Sequence, residues 1–261
     1  MKKALYYLFI FVAFQFFGGT AVNLLWKFVT GNADVTAAEL ITSTVVCSVL
    51  IITVFLWTRW TEVSPRWLRT RQWAVLFWSV VASLGALVPS MWLQENMPEL
   101  PNVVENEFDM LLTNRWGYFT IGLLAPLSEE IVFRGAILRS LLRSPRISPW
   151  VAICISAVFF ALIHMNPAQM PHAFLVGLLL GWMYKRTGSI LPGVAYHWAN
   201  NSVAYIFYNI YPNPDMKLVD LFKGSEQHVL LAVAFSLLIL APALYQLYQW
   251  MRPAEEVKNE K

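Results

Sequence analysis

The sequence predicts an all-α fold, a polytopic bundle of about eight transmembrane helices with both termini cytoplasmic. Three observations predict it. Hydrophobic residues fill 57% of the 261 positions and charged residues only 13%, against about 25% charged in ordinary soluble domains. The mean hydropathy is +0.52, so lipid rather than water is the main solvent. Lysine and arginine are concentrated in alternate connections between the apolar runs, as membrane orientation requires.

The elements follow in order, each tested against the roughly 20 apolar residues that a crossing helix needs. The first runs over 4–25. It follows Met1-Lys2-Lys3 and resembles a signal peptide, but the apolar run continues to about Trp26 with no clear small-x-small cleavage site, so an uncleaved span is expected. The second and third, 38–57 and 73–93, are long apolar runs with Trp57, Trp73 and Trp92 at interfacial positions. The fourth, 118–142, is interrupted by charge; the fifth is 149–165; the sixth, 173–184, is short. The seventh, 190–208, contains polar residues, and the eighth is 228–250. No soluble domain fits between them, so the chain reads as a single integral membrane domain over 1–261. It contains no visible repeat, low-complexity tract or glycine-rich phosphate loop.

Orientation comes from the cations. Lys2 and Lys3 precede the first segment. Arg59, Arg66, Arg69 and Arg71 follow the second, and Arg139, Arg143 and Arg146 the fourth. Lys185 and Arg186 follow the sixth, and Arg252, Lys258 and Lys261 the eighth. The connection after the third is acidic instead, with Glu95, Glu99, Glu105, Glu107 and Asp109. The net charge of +3 is mild, and no basic block points to nucleic acid as a partner. Cys47 and Cys154 sit in apolar runs without C-x-x-C spacing and read as small buried side chains.

Polar residues inside spans are costly in hydrocarbon and are therefore the functional candidates. Three clusters stand out. In the fourth segment, Ser128-Glu129-Glu130-Ile131-Val132-Phe133-Arg134 places Glu130 and Arg134 four apart on one helix face, where they can pair. Glu129 points elsewhere and is left over; a carboxylate without a counter-charge in a dry site is suited to general-base work. The plain structural alternative is an ion pair that locks helices together. In the fifth segment, Phe160-Ala161-Leu162-Ile163-His164 carries a histidine that, taken alone, reads as an interface residue. In the seventh, His197 and Asn201 are four apart on one face, with interhelical hydrogen bonding as the alternative role. A carboxylate, two imidazoles and a carboxamide on different helices form a complete set for hydrolysis by activated water. His172 and His228 lie at loop edges and are expected to face solvent.

The three clusters in this order, Glu-Glu-x-x-x-Arg, Phe-x-x-x-His and His-x-x-x-Asn, resemble the CPBP family. That family contains the type II CAAX prenyl endopeptidases and bacteriocin-processing or immunity proteins. The resemblance covers about 123–201, within a catalytic core of about 118–209. The run Gly177-Leu178-Leu179-Leu180-Gly181-Trp182-Met183-Tyr184 is similar too, and its small-x-x-x-small face permits close helix approach.

The resemblance implies an intramembrane endopeptidase. Glu129 would activate the water; Glu130 would support it and also touch the reactive centre as a catalytic residue, with Arg134 and Phe160 in support. His164 and His197 would position the water, a metal or the oxyanion, and Asn201 would bind the oxyanion or orient His197. The family is commonly labelled a metalloprotease. Glu129, His164 and His197 could hold a divalent metal such as zinc with one open position, but the His-Glu-x-x-His signature is absent, and metal-free activation by glutamate is equally compatible. Other classes carrying the same polar set are a catalytically silent scaffold or immunity protein and a small proton-coupled transporter. Short loops and the Lys-Lys start suggest a bacterial inner membrane. Most bacteria lack prenylated proteins, so a leader peptide, a bacteriocin or a membrane-protein regulator is the expected substrate in place of a prenylated tail.

One geometric difficulty accompanies this reading. At about 1.5 Å per residue, His197, seven residues into its segment, and His164, about 15 into its own, sit at depths about 12 Å apart. A lower start for the fifth helix, or kinks at Pro126 and Pro192, would bring them level.

Overall fold

A computed structural model of the chain describes residues 1–32, 34–62, 72–213 and 216–251. The described residues form helices and connections and contain no strand. Helix α1 is Lys2–Thr30, loosened by one π turn at Phe14–Gly18 and closed by Gly31 in the left-handed region, where a helix end favours glycine. Helix α2 is Ala37–Trp57, capped by the Thr36 hydroxyl, which accepts from the Glu39 amide. Helices α3 (Gln72–Glu95) and α4 (Glu105–Leu112) follow.

Helix α5 covers 119–142 and changes its winding three times. A π stretch, Phe119–Leu124, leads into α-helical Ala125–Glu130, then π-wound Ile131–Leu138 and a last α turn, Arg139–Leu142. Pro126 has no N–H to give, which is compatible with the altered winding just before it. Helix α6 is Pro149–Leu162, with Ser148 as cap and Pro149 in the first turn. Helix α7 is Met170–Thr187, ended by left-handed Gly188. Helix α8 is Leu191–Ile210, α9 is the single turn Leu218–Leu221, and α10 is Glu226–Trp250.

Helix α5 is the axis of the packing. All eight residues of Ile131–Leu138 are buried. Phe133 meets Phe11 of α1 edge-on at 5.5 Å and Phe160 of α6 at 5.3 Å, and Ser156 donates to the Phe133 carbonyl. The glycine run of α7 lies flat against α6: a Cβ on Gly177 would come within 3.0 Å of Ala157, and one on Gly181 within 2.9 Å of Ile153. The close approach read from that run is therefore present. A second apolar cluster joins α3, α7, α8 and α10 around Val75, Leu180, Tyr196 and Leu247. Arg186 donates to the Tyr248 and Met251 carbonyls at the end of α10, at 2.7 and 2.9 Å, satisfying groups that a helix terminus leaves open.

Among the described residues, four helices are long and apolar enough to cross a membrane: Lys2–Thr30, Ala37–Trp57, Trp73–Glu95 and Glu226–Trp250. With their exposed apolar faces, they make the chain an integral membrane protein. The other four expected spans exist as helices at or near the expected places, but they are shorter or more polar; α6, for example, has 14 residues. By length and composition the eightfold count is thus reached only halfway. Of the cations used to orient the chain, Arg66, Arg69, Arg71, Arg252, Lys258 and Lys261 lie outside the described residues.

Candidate active site

The sequence candidates come from α5, the end of α6 and α8. Glu130 and Arg134 pair across one turn of α5, with Arg134 Nη1 donating to Glu130 Oε1 at 2.7 Å, and both are fully buried. Arg134 Nη2 reaches the Gly177 carbonyl at 3.3 Å, and its guanidinium lies 4.4 Å from the centroid of the Phe160 ring. Three partners on three helices thus hold one cation, the arrangement a buried arginine needs.

Phe160 is the hub of the site. The His164 ring stands edge-on to it at 5.0 Å and the His197 ring at 5.7 Å, both at 84°. His164 follows the last turn of α6, and its Nδ1 lies 2.8 Å from the Phe160 carbonyl. With Nδ1 as donor to that carbonyl, Nε2 is left as the acceptor. Met165, the next residue, has φ of +50°, so the chain turns sharply away directly after His164.

The depth difficulty disappears in this geometry. Phe160 is about 16 Å along α6 and His197 about 9 Å along α8, yet their rings touch. The two helices therefore start at different depths. Gly193, in the first turn of α8, lies so near α5 that a Cβ there would be 2.5 Å from Glu130 Oε2. Pro192 occupies the first turn of α8 and kinks nothing.

His197 sits between two carboxylates. Its Nδ1 is 3.5 Å from Glu130 Oε1 and its Nε2 is 3.8 Å from Glu129 Oε2. The second distance is too long for a direct hydrogen bond. Glu129 Oε2, Glu130 Oε2 and His197 Nδ1 are all buried without a hydrogen-bond partner in the protein. Buried polar atoms of this kind call for a partner, and a small polar guest between Glu129 and His197 supplies one. Both residues line a cavity of about 500 Å³, together with Phe160, His164, His172 and Asn201.

Asn201 is held as well as exposed to the cavity. One of its amide hydrogens goes to the Ile121 carbonyl at 3.0 Å, tying α8 to the π stretch of α5, and its Oδ1 accepts from Asn200. No group of three His, Cys, Asp or Glu side chains among the described residues is placed to hold a metal ion. The set Glu129, His164 and His197 is therefore not such a group.

The expectation for His172 needs correction. It is half-buried and lines the cavity, as Asn200 does. The reason is that α7 begins at Met170, so His172 belongs to the first turn of a helix and not to a loop. The connection before it is also roofed over, with Asn166 Nδ2 donating to Asn102 and Gln94 to the Ala168 carbonyl. Pro171 was the available signal, since proline favours the first turn of a helix. His228 is exposed, as read. Gly193 and Asn200 carried no signal of their own, although Asn200 stands inside the third cluster, His197 to Asn201.

Residues 111–203 match the family described as type II CAAX prenyl endopeptidase Rce1-like. The matched segment contains Glu129, Glu130, Arg134, Phe160, His164, His197 and Asn201, so the resemblance read from the three clusters holds over the segment that carries them. Two curated relatives are each similar over about two fifths of the chain. The UPF0177 protein YxdF of Lactococcus lactis subsp. lactis (strain IL1403) is 29% identical over 105 residues, covering 40% of this chain and 52% of that protein. An uncharacterized 24.3 kDa protein of Escherichia coli is 30% identical over 102 residues, covering 38% of this chain and 45% of that protein. The match thus spans about half the length of each relative. No solved structure matches.

Proposed function

We propose that the chain is an intramembrane endopeptidase that hydrolyses a peptide bond with a water activated by Glu129. One observation carries this reading: a buried, unpartnered Glu129 oxygen faces His197 Nε2 at 3.8 Å in the wall of a cavity large enough for an extended peptide segment. The Rce1-like match over 111–203 supports it.

A water between the two donates one hydrogen to Glu129 and one to His197 Nε2, whose other nitrogen points its hydrogen at Glu130. Glu129 takes the proton as the water oxygen bonds to the scissile carbonyl carbon. The displaced electron pair collects on the carbonyl oxygen. There the second amide hydrogen of Asn201 donates, the first being used on Ile121. The oxyanion then collapses, the C–N bond breaks, and Glu129 returns its proton to the leaving amine. His164 Nε2 accepts a hydrogen bond from the substrate or water. Arg134 holds Glu130 in place, and Phe160 sets the spacing of the two imidazoles.

The substrate is a membrane-associated or leader-type peptide. The setting is a bacterial cell membrane, with both termini cytoplasmic, the bundle acting as one domain and α5 to α8 forming the core enclosed by lipid-facing helices.

The test is cleavage of a fluorogenic peptide library by purified protein, comparing wild type with Glu129→Ala and adding a chelator arm. The expected result is cleavage by wild type and none by the folded variant. Equal cleavage by both would overturn the role of Glu129. If neither cleaves any peptide and both melt alike, the polar core is structural, the silent-scaffold reading.

A further inference from the structure

A second pocket, of about 540 Å³, lies at the end of the bundle where α1 begins, α2 ends and α5 ends. Five cationic side chains line it, Lys2, Lys3, Arg59, Arg139 and Arg143, against one carboxylate, Glu62. Glu62 pairs with Arg139 and lies 3.7 Å from Arg143. The hydrogen bond from Arg139 holds its carboxyl below the usual carboxylate range, so Glu62 stays ionised and offsets one positive charge of the five. The rest repel one another in a concave space, which favours a bound anion.

Three further observations separate this pocket from the scattered cations that flank any membrane helix. Arg59 has φ of +57°, a left-handed conformation in which glycine is usual after a helix, yet an arginine stands there and lines the pocket. The wall is aromatic: Trp60 packs against Tyr6 at 5.4 Å and Tyr7 at 5.3 Å. Beside it, Leu5 and Phe9 form an exposed apolar strip on one face of α1. Guanidinium forks, ammonium groups, interfacial rings and an adjoining apolar strip match a phosphate on a lipid.

We propose that this pocket binds a phosphate-bearing anion, foremost the headgroup of an anionic phospholipid whose acyl chains lie along Leu5 and Phe9. Three arginines and two lysines exceed what a single carboxylate neutralises, whereas phosphate accepts several charge-assisted hydrogen bonds at once. The pocket also adjoins the candidate active site through its backbone. Thr61, two residues after Arg59, donates to the Ile131 carbonyl at 2.7 Å and packs on Gly135, so the turn lies on the segment of α5 that follows Glu130.

The test uses the full chain in nanodiscs of phosphatidylcholine, with and without phosphatidylglycerol, and reads bound lipid by native mass spectrometry. Arg59→Gly removes a cation while suiting the backbone, and Arg143→Gln removes another. Arg146→Gln removes an exposed cation outside the pocket. Matched melting in neutral lipid checks that each variant is folded. Phosphatidylglycerol is expected to be retained by wild type and weakened about five-fold by each pocket variant, with Arg146→Gln unchanged. An equal loss with Arg146→Gln, or no preference for phosphatidylglycerol together with no binding of inorganic phosphate, overturns the proposal. In a competition arm, displacement by millimolar inorganic phosphate keeps the phosphate site and overturns lipid as its source; no displacement keeps both.

Discussion

Helices α10 and α5 solve opposite problems with different sequences. The most apolar stretch of α10 has a mean hydropathy of 2.2, yet only 11% of it is buried within the protein. The central part of α5 is buried at every residue from Ile131 to Leu138, yet it carries Arg134 and follows two glutamates. Apolar content alone does not separate the two helices; what separates them is that one leaves its apolar surface exposed and the other buries charge together with its partners. A helix surrounded by other helices can hold charge because the partners are supplied: Glu130, the Gly177 carbonyl and the Phe160 face for Arg134. A helix facing lipid has no such partners to offer.

The largest effect that tests this contrast is expected from Arg134→Met. It leaves Glu130 buried and unpaired, and a loss of about 3–5 kcal/mol is expected, measured by denaturation in detergent. Replacing both members, Glu130→Leu with Arg134→Met, should recover much of it. If the single variant is as stable as wild type, the pair does not organise the centre.

Within the centre, Glu129 is expected to differ from its neighbour. Glu129→Gln should lower peptide cleavage about 100-fold or more while the melting temperature stays near that of wild type, because no hydrogen bond in the protein depends on its Oε2. A large stability loss with parallel activity loss would place Glu129 in the same structural class as Glu130. Smaller again is Gly193→Ala. The added methyl would meet Glu130 Oε2 at 2.5 Å, and overpacking of this kind costs about 1–3 kcal/mol. A neutral result by thermal unfolding would mean that α8 can move off α5. At the lipid-facing extreme, Leu238→Ala on α10, 68% exposed, should change stability by no more than about 0.5 kcal/mol in detergent. A loss comparable to that of Arg134→Met would dissolve the comparison, and would point to a partner covering α10.

Much of the site was legible in the residues. The four-residue spacing placed Glu130 against Arg134, and the structure pairs them. The same spacing left Glu129 over, and it lines the cavity. The glycine spacing on α7 announced a close contact, which Ala157 and Ile153 provide. Other features were out of reach. Asn201 reaches across to a carbonyl of α5 because that stretch is π-wound, and winding is not written in composition. His172 was misplaced because hydropathy locates the apolar middle of a helix better than its polar first turn.

By itself, then, the sequence determined the solvent of this protein, the identity of its helices and the short-range pairings along each one. These depend on composition and on the fixed 3.6-residue turn, both of which are local. The tertiary structure alone decided that α6 and α8 start at different depths, so that His164 and His197 meet at one ring. It also decided that five cations from three chain segments share one pocket. Relative depth and convergence depend on how helices slide along one another, and that is set by small contacts such as Gly193 on Glu130, made between residues far apart in the chain.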